Sequence, residues 1–298
     1  MSAGAIGTEE NWQGRVLAGM GLGALAYALF SAHDAGIKWL VAILPLWQVV
    51  WLRSGMLVVL SLAHGRGKLV ERVLTTPVRK TLLLRGVLVL IAWLFYFTAS
   101  RHLQLAQMTS IYFAAPLVVT VMAGPLLGER VTRGRWIAVA LGFVGVMLAS
   151  DPRSLTASVP ALMVLIAAAI WAYGVILMRQ IARHEPSIVQ ILYTNGCFFI
   201  GTAIPTLLYW QPLSGRQWAI LGGVSVLGGL GQFSLFEGAR LAPASVLATI
   251  EYSSLIWAFL LGAMIWGDDP TRPVVLGAGL IVFAGALLVA MERRRKPA

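Results

Sequence analysis

Charge is what this chain has least of: 12% of its 298 residues are charged, against roughly 25% in a soluble domain, while 58% are hydrophobic. That scarcity excludes a water-soluble globular protein, whose surface needs charge throughout. Cysteine is almost missing. Cys197 stands alone, which excludes an internal disulfide, and with no Cys or His beside it in sequence it reads as a small apolar residue. The four histidines (His33, His64, His102, His184) are scattered without metal-ligand spacing, so neither a metal nor any other cofactor is expected. There is no Gly-x-x-x-x-Gly-Lys-Ser/Thr loop to hydrolyse ATP by that route, and no ATPase subunit is implied. Long polar segments are missing too: the longest polar connection, about 64–83, is too short for a soluble domain. Function is therefore expected inside the membrane. A formal net charge of +11 would suit nucleic acid, but the basic residues sit at the ends of apolar runs, where they set orientation instead. The expected partners are the lipid bilayer and a small molecule, with no nucleic acid.

Apolar runs are abundant. Stretches long enough to cross a hydrocarbon core recur at 16–37, 45–63, 84–100, 106–127, 134–150, 160–178, 187–209, 217–239, 244–266 and 273–291. They are continuously apolar rather than alternating, so they read as helices and not barrel strands. The expected fold is an all-α membrane protein of ten transmembrane helices. Glu9 and Glu10 precede the first run, which fits an uncleaved first helix better than a secretory signal. Placing the N-terminus in the cytoplasm puts seventeen Lys and Arg inside and five outside, so both termini are expected to be cytoplasmic.

One charged hexapeptide occurs twice, as GERVTR at 128–133 and GDDPTR at 267–272. Sliding the chain by 139 positions also superimposes Val87-Leu88 on Val226-Leu227, Phe97 on Phe236, Arg101 on Arg240 and Ile111 on Ile250, without a gap. This spacing indicates two five-helix repeats, 1–152 and 153–298, forming one transmembrane domain. Five crossings separate the copies, so the halves are inverted, the architecture of secondary transporters that hold substrate near the midplane. Locally each copy reads as a turn. Gly128 and Gly267 suit the left-handed position ending a helix, Thr132 and Asp269 can cap the next, and Glu129–Arg133 and Asp268–Arg272 can pair across it.

On span three, Trp93, Tyr96, Phe97 and Ser100 share one helical face, and their repeat counterparts are Gln232, Leu235, Phe236 and Ala239. Tyr112-Phe113 on span four matches Glu251-Tyr252 on span nine. Trp171 and Tyr173, and Tyr27, Phe30 and Ser31, are further candidates for the same midplane site. An ionisable group deep in a bilayer costs about 2.5–3.5 kcal/mol even on insertion scales, so Arg53 and Glu251, roughly 10–12 Å into spans two and nine, need a reason. Either they pair within the bundle or they face a wet cavity. Asp34 with Lys38, and Glu237 with Arg240, are helix-surface pairs by spacing and stand where a cavity mouth would lie. Pro116 and Pro205 invite bends, and Gly19 with Gly23 offers a small face for close packing.

The stretches APLVVTVMAGPLLGERVTRGRWIAVALGFVGVML (115–148) and ASVLATIEYSSLIWAFLLGAMIWGDDPTRPVVLGAGLIVFAGALL (244–288) resemble signatures of the drug/metabolite transporter superfamily, and within it the ten-span exporters of the EamA type. The resemblance implies that spans one to four and six to nine enclose a central cavity, with spans five and ten outside. It also implies export of small metabolites, in a pattern similar to bacterial exporters of aromatic and neutral amino acids. Leu255 departs from it, standing where many relatives place a proline matching Pro116. The expectation is a bacterial inner-membrane exporter of amino acids or similar metabolites. Trp93, Tyr96, Phe97, Tyr112, Trp171, Phe236 and Tyr252 would hold the ligand's apolar part, Gln232 a polar group, Glu251 its ammonium, and Arg53 or helix termini its carboxylate. Efflux of drugs or other metabolites is the alternative. An intramembrane enzyme is a distant one, since no cluster of acids with His suggests a catalytic centre.

Overall fold

The computed structural model describes residues 3–103, 108, 111–112, 115–128, 132–149, 159–267 and 272–293. Eleven helices lie among them: α1 (Ala3–Val41), α2 (Leu46–Thr75), α3 (Arg79–Ala99), α4 (Ala115–Leu127), α5 (Arg133–Ala149), α6 (Val159–Ile181), α7 (Ser187–Leu208), α8 (Gly215–Leu241), α9 (Ala244–Glu251), α10 (Ser253–Trp266) and α11 (Arg272–Arg293). The described residues contain no strand. Seven helical stretches are long and apolar enough to cross a membrane: 13–41, 46–65, 79–99, 159–181, 187–208, 215–241 and 244–265, the last combining α9 with most of α10. The other three expected spans fall on α4, α5 and α11.

Lipid as solvent explains the outward faces. Ile200, Ile204, Leu207 and Met264 are each more than 70% exposed, an arrangement that fits acyl chains and would be costly in water. Many polar groups turn inward instead, among them Gln48, Arg53, Asn195 and Glu251.

The packing has a regular pairing. Helix α1 packs along α8, α3 along α6, α2 along α7, and α5 along α11, while α4 meets α9. Exchanging α1 for α6, α2 for α7, α3 for α8, α4 for α9–α10 and α5 for α11 converts the α1–α8 pair into the α3–α6 pair. It leaves α2–α7 and α5–α11 as their own counterparts. The α1–α8 crossing is close because it is built on glycine. A β-carbon at Gly19 would come within 2.7 Å of the Ala242 side chain and 2.9 Å of its backbone nitrogen, and Gly238 faces the Gly19 carbonyl. Gly23 packs the same way against Leu247.

Helix ends follow local chemistry. Gly128 and Gly267 take φ of 67° and 70°, the left-handed region that the two hexapeptides require of their first residue. Their acids Glu129, Asp268 and Asp269 lie outside the described residues, as does Phe113. Ser214 and Gln217 make a reciprocal capping box at the start of α8. The polar connection expected over 64–83 is mostly helix, because α2 continues to Thr75. Its end is fastened by buried Glu185, which accepts hydrogen bonds from Arg72 Nε at 2.8 Å and Thr76 Oγ1 at 2.6 Å.

Span nine breaks without a proline. Helix α9 ends at Glu251 and α10 begins at Ser253, with Tyr252 N bonding Thr249 O and Leu255 N bonding Tyr252 O in three-residue turns. A hydroxyl satisfies a carbonyl there: Ser254 Oγ donates to Glu251 O at 2.8 Å, while Ser31 Oγ donates to Tyr27 O at 2.8 Å and lies 3.3 Å from Ser254 O.

The Gly19 contact gives a stability test. Gly19→Leu forces a side chain into the α8–α9 backbone and lowers the thermal midpoint in detergent by at least about 3 °C, whereas Gly21→Leu, with nothing within 4 Å of its β-carbon, leaves it nearly unchanged.

Candidate functional site

A cavity lies among α1, α3, α6, α8 and the α9–α10 junction, with Tyr112 and, from α7, Thr194 also on its wall. Trp93, Tyr96, Phe97, Tyr112, Trp171, Gln232, Phe236 and Glu251 all line it, as do Tyr27, Phe30, Ser31 and Asp34. The aromatic rings form a chain along the wall. Trp93 and Phe97 have centroids 4.9 Å apart, Phe97 and Tyr96 5.2 Å, Tyr96 and Tyr112 5.3 Å, and Tyr112 and Trp171 6.5 Å. Edge-on and tilted contacts of this kind hold each ring by its neighbours.

Two charged groups are buried in the wall. Glu251 is the last residue of α9, so the helix break places its side chain at the cavity. Trp171 Nε1 donates to its Oε1 at 3.0 Å, and its Oε2 accepts no hydrogen bond among the described residues. The second group is Arg85 of α3, 3% exposed. Its Nε donates to the Gly174 carbonyl at 3.1 Å and its Nη1 to Thr194 Oγ1 at 2.9 Å, while the guanidinium lies 4.9 Å over the Phe236 ring. Asp34 stands at the opposite, wetter end, with its side chain 31% exposed and accepting from His33 Nδ1 at 2.8 Å.

Arg85, at the edge of the expected span 84–100, is overlooked as a site residue because it counts among the seventeen basic residues placed on the cytoplasmic side. Helix α3 starts at Arg79, so Arg85 is already two turns into the bundle. A signal was present in Gly86: a β-carbon there would come within 2.5 Å of the Cys197 sulfur, so α3 and α7 approach closely at this level.

Two of the expected ligand contacts stand outside the cavity lining. Arg53 is fully buried, with its guanidinium 4.6 Å from the centre of the Trp93 ring. From there it donates to Asn195 Oδ1 at 3.4 Å, and Asn195 Nδ2 donates to Gln232 Oε1 at 2.8 Å. Arg53 thus braces two wall residues, through a cation–π contact and through an amide relay. Gly228 makes the room, since a β-carbon there would come within 2.6 Å of Arg53 Nη2. Tyr252 is buried and points away, with its hydroxyl donating to Val139 O at 3.3 Å and its ring against Gly142 of α5. One residue after Glu251, the turn carries its side chain to the other side. Of the four mouth candidates, Asp34 lines the central cavity and the other three lie outside it. Lys38 lines a separate cleft at the end of α1, its Nζ 3.5 Å from Leu103 O, and Glu237 and Arg240, paired at 3.3 Å, line another at the end of α8.

A multi-span helical bundle around an aromatic cavity with buried charge is the form of a membrane transporter. Known proteins agree. The sequence profile of the EamA-like transporter family matches residues 17–151 and again 159–291, and the chain belongs to that family. It is similar to the pseudopaline exporter CntI of Pseudomonas aeruginosa, 27% identical over 93% of this chain and 97% of that one. It is also similar to a riboflavin transporter of Vibrio cholerae, 28% identical over 63% of this chain and 64% of that one. An S-adenosylmethionine uptake transporter of Rickettsia felis is 24% identical over 93% and 94%. A solved crystal structure shares the fold, with a TM-score of 0.75 at 18% identity, covering 94% of this chain and 98% of its own. This protein is a transporter and not an enzyme.

The geometry is testable with introduced thiols. In a Cys197→Ser background, a membrane-impermeant thiol reagent labels Asp34→Cys and Ser254→Cys, which face the cavity, far faster than Tyr252→Cys, which faces α5.

Proposed function

We propose that this chain is an inner-membrane secondary transporter that exports amino acids, aromatic or neutral, or similar small metabolites. It works by alternating access between two inverted five-helix halves, 1–152 and 153–298, ten spans in all with both termini cytoplasmic. Three observations support the two-half reading. The family profile matches twice in succession, helix pairing survives exchange of the halves, and Phe97-Arg101 and Phe236-Arg240 recur 139 residues apart. Halves of like build can trade conformations, which exposes a site between them to either side in turn.

The observation that carries the substrate class is the joint presence of a buried carboxyl group and a buried guanidinium in one aromatic cavity. A zwitterion satisfies both. Its ammonium would meet Glu251 Oε2, its carboxylate the Arg85 guanidinium, and its side chain the rings of Trp93, Tyr96, Phe97, Tyr112, Trp171 and Phe236. Gln232, held by Asn195, supplies a further polar contact. Arg85 replaces Arg53 as the carboxylate partner, because Trp93 separates Arg53 from the cavity.

An aromatic cavity also suits other metabolites or drugs, and the relatives' names cover three ligands and both directions of transport. Reconstitution decides. Proteoliposomes are expected to carry at least one radiolabelled neutral or aromatic amino acid. Glu251→Gln and Arg85→Gln, each removing a charge-assisted contact of about 1.5–3 kcal/mol, lower transport by about tenfold or more in folded protein. If no amino acid crosses, and expression instead protects cells against lipophilic cations, drug efflux replaces this reading.

A further inference from the structure

Two clefts at the ends of the bundle flank the central cavity. One is lined by Lys38, Leu44, Ser100, Arg101 and Gln211, among others. The other is lined by Arg15, Arg179, Arg183, Glu237 and Arg240, among others. Helix α1 contributes to both, and Arg15 and Lys38 stand roughly 35 Å apart along it, so the two cavities open at opposite ends.

Each end cavity continues the wall of the central one by a single helical turn. Phe97 of α3 lines the central cavity and Arg101, four residues on in the turn just past the end of α3, lines the first end cavity. On α8, Phe236 lines the central cavity and Arg240, four residues on, lines the second. These two pairs are the same pair, 139 residues apart in sequence. On α1, Asp34 and Lys38 make the same step at the first end.

Both ends are basic. Among the described residues the first presents Lys38 and Arg101 and no acid, with Arg101 Nη2 donating to Leu44 O at 3.4 Å. The second presents four arginines against Glu237, whose Oε1 is already engaged by Ser187 Oγ at 2.6 Å and Arg240 Nη1 at 3.3 Å. Orientation by cytoplasmic basic residues accounts for a positive charge excess on one face of a membrane protein, not for matched guanidiniums at both mouths. A cleft lined by one sign of charge raises the local concentration of the opposite sign and speeds its capture.

We propose that Arg101 and Arg240 are equivalent mouth residues of a two-ended path, and that the path selects ligands presenting an anionic group of the carboxylate kind. This deepens the transporter reading and rests on it, but not on which amino acid is carried.

The test uses charge-matched probes rather than a substrate. In Cys197→Ser with Ser254→Cys, the cavity thiol is labelled by thiosulfonate reagents of equal size, one sulfonate and one quaternary ammonium. Applied from the Arg101 end at low salt, Arg101→Gln slows the anionic reagent about three- to tenfold relative to the cationic one, and added salt erases the difference. Arg216→Gln removes the same charge at the same end, beside Trp39 and outside these cavities, and leaves the ratio unchanged. Applied from the other end, the dependence passes from Arg101 to Arg240. The proposal is overturned if Arg101→Gln alters both reagents equally or neither, or if Arg216→Gln has the same effect. If the charge preference holds while no amino acid is transported, the amino-acid reading fails and this one stands.

Discussion

A carboxyl group and two guanidiniums buried in a lipid-facing bundle constrain everything around them, because the bilayer supplies no water to complete their hydrogen bonds. Each has drawn protein groups toward it. Glu251 takes the Trp171 indole, Arg85 takes the Gly174 carbonyl and the Thr194 hydroxyl, and Arg53 takes Asn195 and the face of Trp93. These contacts tie α3 to α6 and α7, α2 to α3 and α7, and α6 to α9. The cavity is the space they leave, walled by rings that those contacts hold in place.

The same constraint governs the backbone. Span nine tightens at Tyr252 into three-residue turns, and Ser254 Oγ donates to the Glu251 carbonyl there. Glu251 lies at the cavity and Tyr252 faces α5, with a buried leucine rather than a proline at position 255.

Much of this was legible in the sequence for one reason: hydrophobic length and buried charge are strong signals in a chain that lives in lipid. The apolar runs marked the helices, Glu251 stood out by its depth, and the Trp93-Tyr96-Phe97 face pointed where the cavity lies. Gly128 and Gly267 announced their left-handed turns. Less visible were features that depend on which way a side chain leaves its helix. Arg53 and Arg85 look alike in sequence, yet Gly228 and Trp93 enclose the first while the second lies open to the cavity. Arg85 was further hidden because basic residues near a span end read as topology signals. The clamp on Glu185 joins residues more than a hundred positions apart, which no local pattern announces.

The central claim is that one cavity is opened alternately at two equivalent ends. Electron–electron resonance on two pairs of spin labels tests it most directly, one pair at Ile43 and Gln211 across the first end cavity, the other at Gly14 and Arg183 across the second. Adding a transported ligand is expected to shorten one distance while lengthening the other, so that the two ends are never open together. Distances that stay fixed, or that lengthen together, would contradict the account.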